Sequence, residues 1–237
     1  SAPDIAAVQP KILSYADKTR FEYAGGAGGF IDRWGYPFCR GRIFDHVETD
    51  RGQYDRAVKI FWASGACMLV RKSVVEQIGL FDDDYFAHWE EIDFCWRAQN
   101  AGWEIWCEPR STVFHVGGGT LHGADPRKTY LNFRNSLTTL AKILSLREAT
   151  TKLAMRTALD GVATLKALLS GKRAYAAAIL KAHGDFWRRL PRIRKKRPSV
   201  RPRPLCRLAG SWNGSVVWAH FVRRKKRFDQ IIGSRDT

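Results

Sequence analysis

The period of the apolar positions changes once along this chain, near residue 128. Before it, apolar residues come in short runs. Residues 5–13 (IAAVQPKIL) predict a buried strand interrupted by Pro10, and residues 21–24 a second short strand. Residues 25–56 are rich in Gly, Asp and Arg, lack periodicity and predict a long loop, which the interspersed Phe30, Trp34, Tyr36, Phe38 and Phe44 keep ordered. Residues 58–62 and 66–70 predict strands flanking Ser64-Gly65, and residues 73–78 a short helix closing at Gly79. FDDDYF then predicts a turn and residues 90–100 a helix stopping before Gly102, with strands at 103–107 and 112–116 around Pro109. Short strands mixed with short helices predict an α/β body.

Beyond residue 128 the spacing becomes helical. NSLTTLAKIL, LAMRTALDGVATLKALL and AYAAAILKAH place apolar residues three and four apart, up to about residue 190. After Pro191, RIRKKRPSVRPRPLCR predicts a proline-broken basic linker leading into SWNGSVVWAHFVRRKKR. The expected division is a body over 1–127, a helical extension over 128–190 and a basic, partly flexible tail over 191–237. No internal repeat is present.

Charge sharpens that division. The chain of 237 residues carries a formal +17, yet fifteen Lys and Arg and no acid lie between 186 and 228, and the other 25 cations nearly balance all 23 acids. A neutral body therefore precedes a cationic tail. With 45% apolar residues the body is long enough for one sizeable core, which excludes collagen-like, mucin-like and wholly disordered classes. Five scattered cysteines without CxxC spacing argue against a disulfide framework or a zinc site and fit a reducing compartment. The start lacks the basic and apolar regions of a signal peptide, and no run of about 18 apolar residues predicts a transmembrane helix. The tail's cations, interleaved with Trp187, Trp212, Trp218 and Phe221, suit nucleic acid, an anionic membrane or plain solvation. At about 1 kcal/mol per Lys or Arg near an anionic membrane, fifteen are consequential.

The candidate chemistry centres on FAHWEEIDFCWR, residues 86–97, where Glu90, Glu91 and Asp93 stand among Phe86, Trp89, Phe94 and Trp96. First-turn acids complement a helix dipole, by about 0.3–1 kcal/mol each, and Asp93 can pair with Arg97 four residues on. Alternatively one carboxylate is a general base whose proton affinity is raised by apolar neighbours and adjacent like charge. Local physics favours the first reading. Asp82 and Asp84 form a D-x-D pattern that suits either a divalent cation or a polar turn. HVGGGTLHG sets His115 and His122 around glycines, either to approach a phosphate or as an ordinary strand-end histidine; neither it nor GGAGGF is G-x-G-x-x-G. No G-x-S-x-G, HExxH or P-loop occurs.

Taken in order, these motifs resemble the acceptor-side half of a family 2 glycosyltransferase of the rhamnosyltransferase-like branch. The family's small-Gly and Arg correspond to Gly65 and Arg71, and its Gly-x-Phe-Asp-x-x-Phe to Gly79, Phe81, Asp82 and Phe86. Its Glu-Asp-x-Asp helix corresponds to Glu90, Glu91, Asp93 and Arg97, followed by Gly102, Pro109, His115 and the KTYLNFRN segment with Arg134 and Asn135. The resemblance covers roughly residues 5–140. It implies a partial GT-A-type mixed sheet with flanking helices and an inverting transfer from a nucleotide-sugar donor to a glycan or lipid-linked acceptor. The second acid of the pair removes the acceptor proton in such enzymes; here it is Glu91, one methylene longer than the usual Asp, with Glu90 and Asp93 beside it. By the same resemblance His115 and Arg134 meet the donor diphosphate, His115 also its metal, and Trp62, Gly65, Trp89 and Arg97 face the acceptor. A divalent cation, Mg2+ or Mn2+, is implied with its main ligands before residue 1, which makes the chain a C-terminal fragment. Cell-envelope glycan synthesis is implied, in the cytoplasm at the inner face of a bacterial plasma membrane, with residues 186–228 on the anionic surface. A nucleic-acid-binding protein on a non-catalytic α/β scaffold is the alternative.

Overall fold

The computed structural model describes residues 4–117 and 125–233. In chain order the elements are β1 (Ile5–Ser14), β2 (Gly29–Asp32), β3 (Pro37–Cys39), β4 (Arg42–Ile43), β5 (His46–Val47), β6 (Val58–Lys59), β7 (Leu69–Val70), α1 (Lys72–Ile78), α2 (Glu90–Asn100), β8 (Glu104–His115), α3 (Pro126–Ile143), α4 (Leu146–Leu169), α5 (Arg173–Lys195), β9 (Ser211–Trp212) and α6 (Phe228–Ile232). The protein is mixed α/β, as the sequence predicts. It divides into two compact units: Ser1–Leu80, Phe94–Gly117 and Leu205–Thr237 form the first, Phe81–Asp93 and Gly118–Pro204 the second. Among the described residues, no helix is long and apolar enough to cross a membrane.

The first unit holds two sheets, in the orders β6-β8-β1-β7 and β5-β4-β3-β2-β9. β1 lies parallel to β8 and is buried on both faces, which is why its sequence shows no alternation and even Gln9 and Lys11 are buried. Pro10 does not interrupt it; the register shifts between Pro10 and Lys11, a bulge that accommodates the missing N–H. Likewise Pro109 does not divide β8, so the two strands expected around it are one. The loop expected over 25–56 contains β2 to β5, each two to four residues long. Buried Asp32 anchors it: Oδ1 accepts from the N–H of Trp34 (2.8 Å) and Tyr36 (2.9 Å), and Oδ2 from Val216 (3.0 Å). Gly29 permits the close approach of Trp62, since a Cβ there would lie 2.1 Å from the indole ring.

The basic segment beyond Leu205 is built into this unit. β9 pairs in parallel with β2, and the ring of Phe228 packs 4.7 Å from Phe30 and 5.9 Å from Phe38. Scattered apolar residues among the cations are its anchors.

The second unit is three helices around Leu137, Ala141, Phe186 and Ile193. α3 starts on an Asp125 cap that accepts from Arg127 N–H at 2.7 Å, with Pro126 in the first turn, where its missing N–H costs nothing. α5 continues past Pro191, where the sequence predicted its end. Ile193, buried in the core cluster, and Arg197, which donates to the Ala141 carbonyl at 2.9 Å, hold the last turn against the proline's lost hydrogen bond.

Candidate active site

The second unit carries an unusual backbone just ahead of α2. A 3-10 turn at Asp83–Tyr85, capped by Asp82, leads into Phe86 (φ 65), His88 (φ 66) and Trp89 (φ 78). Three bulky residues in the left-handed region cost on the order of 1–3 kcal/mol each, so the surroundings must impose the shape. They do so from α3. The Asn135 amide donates to the carbonyls of Tyr85 (3.1 Å), Ala87 (2.9 Å) and His88 (2.7 Å). The Arg134 guanidinium donates to those of Asp84 (2.9 Å) and Tyr85 (3.0 Å) and braces Asn135 Oδ1 at 2.9 Å. Both side chains are buried.

The clamped loop delivers the first turn of α2. Glu90 and Glu91 are half-buried residues, but the Oε2 atom of each is enclosed and has no hydrogen-bond partner among the described residues; the same holds for His88 Nε2. Buried polar atoms in folded proteins are ordinarily paired, so three without a protein partner within four residues set this turn apart. Burial, then the neighbouring Glu90 charge, pushes the Glu91 carboxyl up to about 8, against the pull of the helix-start N–H groups. Burial also raises Glu90, and burial with Lys128 nearby holds His88 below the usual histidine range. A carboxyl titrating near neutrality is suited to accept a proton during turnover.

Asp93 has a different setting. It is fully buried, accepts from Tyr85 Oη at 3.0 Å and pairs with Lys142 Nζ at 2.9 Å. Tyr85 in turn meets Thr139 Oγ1 at 2.8 Å, and Lys142 also reaches Asp82 at 2.8 Å. Asp93 therefore holds the loop while the two glutamates carry the free oxygens. Lys142→Met is expected to lower the unfolding free energy by about 3–5 kcal/mol in denaturant titration, because it strands a buried carboxylate while Asp82 keeps Lys196. Sequence reasoning missed Tyr85, His88, Thr139 and Lys142; the only available signal was their nearness to the acidic helix and the FRN segment.

The aromatics around the acids separate. Trp89 is buried in the second unit and Phe86 is exposed, with the Arg127 guanidinium 4.5 Å from its ring. Phe94 and Trp96 are core residues of the first unit, Trp96 edge-on to Phe61 at 5.1 Å.

The remaining predicted residues lie in the first unit. Trp62 is buried and gives its indole N–H to the Phe30 carbonyl at 3.0 Å, whereas Gly65 is exposed. Arg97 donates to the carbonyls of Ile78, Gly79 (3.1 Å) and Leu80, closing the end of α1. His115 is half-buried at the end of β8, its Nδ1 3.8 Å from Glu22 Oε1. His122 lies outside the described residues. A cleft of about 560 Å³ lined by Arg20, His46, Arg51 and Arg227 contains none of the predicted residues.

Nor do these residues fit a divalent cation. Asp82 pairs with Lys142 and Lys196, and Asp84 with Arg192 and Lys196. Burial opposes charge on Asp82, but the two lysines outweigh it and hold its carboxyl well below the usual range. Among the described residues no three His, Cys, Asp or Glu side chains converge.

No protein-family model matches this chain. It is similar to the low-salt glycan biosynthesis hexosyltransferase of Haloferax volcanii, 34% identical over 74 residues, 31% of this chain and 24% of that protein. It is also similar to the N-acetylglucosaminyl-diphospho-decaprenol L-rhamnosyltransferase of Mycobacterium tuberculosis, 43% identical over 54 residues, 23% of this chain and 18% of that protein. The matches thus span a quarter or less of these curated relatives. Over those stretches the chain is related to glycosyltransferases.

Proposed function

We propose that this chain is the acceptor-side part of an inverting, GT-A-type family 2 glycosyltransferase, with Glu91 as its general base. The observation that carries the reading is the enclosed, unpartnered Oε2 of Glu91 at the end of a strained, clamped loop. In the reaction the Glu91 carboxylate accepts the proton of an acceptor hydroxyl. That oxygen bonds to the anomeric carbon from the face opposite the nucleotide, the bond from carbon to diphosphate oxygen breaks, and the nucleoside diphosphate leaves with the electron pair. Glu90 keeps the base's proton affinity high; Asp93, Arg134 and Asn135 position it. The relatives' names, one a glycan hexosyltransferase and the other acting on a diphospho-decaprenol-linked sugar, support a glycan or lipid-linked acceptor. Trp89, in the same unit as Glu91, is assigned to that acceptor.

Two measurements test this in the natural full-length protein. Nucleotide sugars with uridine, thymidine or guanosine carriers are incubated with prenyl-diphosphate-linked sugars, and products are read by mass spectrometry and anomeric NMR. At least one pair yields product of inverted configuration; retention, or no transfer from any donor, refutes the reading. With a productive pair, kcat/KM climbs about tenfold per pH unit below pH 8 and levels above it, since Glu91 must first lose its proton. A flat profile between pH 6 and 8 removes Glu91 from the role of base.

A further inference from the structure

Helix α4 is turned inside out. Its buried side chains include Arg156, Asp160 and Thr164, whereas Val162, Leu165, Leu168 and Leu169 are exposed, Leu169 by 81%. A helix on a water-soluble fold ordinarily does the reverse. The inward polar side chains find their partners inside the second unit. Arg156 donates to Ser136 Oγ at 2.9 Å, Asp160 Oδ2 lies 3.0 Å from His183 Nε2, and Thr164 Oγ1 donates to the Asp160 carbonyl at 2.8 Å. The bonds from Arg156 to α3 and from Asp160 to α5 fix which way α4 faces, so the apolar side is held outward. Between Arg156 and Lys166 the exposed positions are Thr157, Ala158, Gly161, Val162 and Leu165, without a charge among them.

The charges that frame this face are of one sign. Lys166, Lys172 and Arg173 are exposed at its end and at the turn into α5. From 161 to 204 the sequence has thirteen Lys and Arg and a single acid, Asp185, which is buried and accepts from Tyr130 Oη at 2.6 Å. A second copy of the chain would bring the same cations against these. An anionic surface complements them.

We propose that the exposed face of α4 docks on an anionic lipid surface, with the helix lying in the headgroup plane, the leucines in the acyl boundary and the lysines and arginine at the phosphates. No described helix is apolar enough to span, so the contact is in-plane. The inference rests on the lipid-linked acceptor reading and places the membrane contact on α4 rather than on residues 186–228 alone.

The test needs neither donor nor acceptor, so its outcome is independent of the transferase assignment. The 237-residue chain is cosedimented with phosphatidylcholine vesicles with and without phosphatidylglycerol. Three forms are compared: unmodified; Val162→Gln with Leu165→Gln and Leu169→Gln; and Arg223→Gln, Arg224→Gln, Lys225→Gln and Lys226→Gln together. Glutamine keeps helix propensity, and circular dichroism confirms the helices; the single Leu169→Gln variant, at the most exposed position, serves if the triple form loses them. The unmodified chain is expected to bind the anionic vesicles, less so in high salt, and the α4 form to lose about tenfold or more of that partitioning. The form altered at 223–226 retains most of it. Equal partitioning of the unmodified and α4 forms, or no preference for phosphatidylglycerol, overturns the proposal. So does an unmodified dimer that the α4 substitutions turn into a monomer in light scattering, which would make the face a self-association surface.

Discussion

Glu91→Gln is expected to reduce glycosyl transfer by about 10³-fold while making the protein harder to unfold at pH 8. The two effects have one cause. Glutamine keeps the shape of the side chain and its place in the first turn of α2, but cannot accept the acceptor's proton. The stability effect follows from linkage. In the unfolded chain Glu91 ionises near 4.5, whereas in the folded protein burial and Glu90 delay ionisation to about 8. The native state therefore holds a proton that the unfolded state has released. The stability this lends is complete below pH 4.5 and is lost as pH rises through 8. Glutamine does not titrate, so the variant and its parent should unfold alike near pH 4.5 and diverge steadily up to pH 8, the variant being the more stable. Taking the difference at each pH cancels groups that do not act on Glu91, including His88, whose depressed protonation works in the opposite direction, while Glu90, whose charge acts on Glu91, contributes to the divergence. Urea unfolding across that range provides the measurement. If the difference stays flat, the Glu91 carboxyl is not perturbed and the assignment of the base fails on a criterion separate from activity.

Helix α2 was legible residue for residue, because carboxylates mark its first turn and Gly102 follows its end. The strands β2 to β5 were not. Runs of two to four residues are too short to show alternation, and their anchors are remote: Asp32 is bonded to Val216, 184 residues on. Pro191 misled for a related reason, since a local breaker gave way to the burial of Ile193. At the site, acids among aromatics drew attention to the segment, but could not separate Glu91, whose Oε2 is unpartnered, from Asp93, which is ion-paired. That distinction comes from Lys142, buried on a helix whose sequence pattern makes any lysine look solvent-facing. The backbone strain was invisible for a similar reason. Phe, His and Trp have no local preference for positive φ, and the clamp that imposes it sits 47 to 50 residues away.

That clamp is the second point of high leverage. Asn135→Ala removes the donors to three carbonyls and is expected to cost about 2–4 kcal/mol of stability, since those acceptors are left in a partly buried loop. The effect on turnover is expected to be larger, at least about 10²-fold in kcat, because a released loop lets the base move by an ångström or more. Plain destabilisation does not predict how the remaining activity behaves. With the loop free to relax from positive φ, the Glu91 carboxylate gains water and its titration falls from about 8 toward 4.5, so the pH at which kcat/KM levels off shifts down. A variant that is merely less stable, such as Phe228→Leu in the core of the first unit assayed well below its unfolding temperature, keeps the parent's pH profile. Asn135→Asp provides the third comparison: it retains the size of the side chain but presents a carboxylate to the same carbonyls, and is expected to be worse than alanine in both stability and rate. An Asn135→Ala enzyme with unaltered pH profile and near-parental kcat would mean that the strained loop shapes the fold without positioning the base.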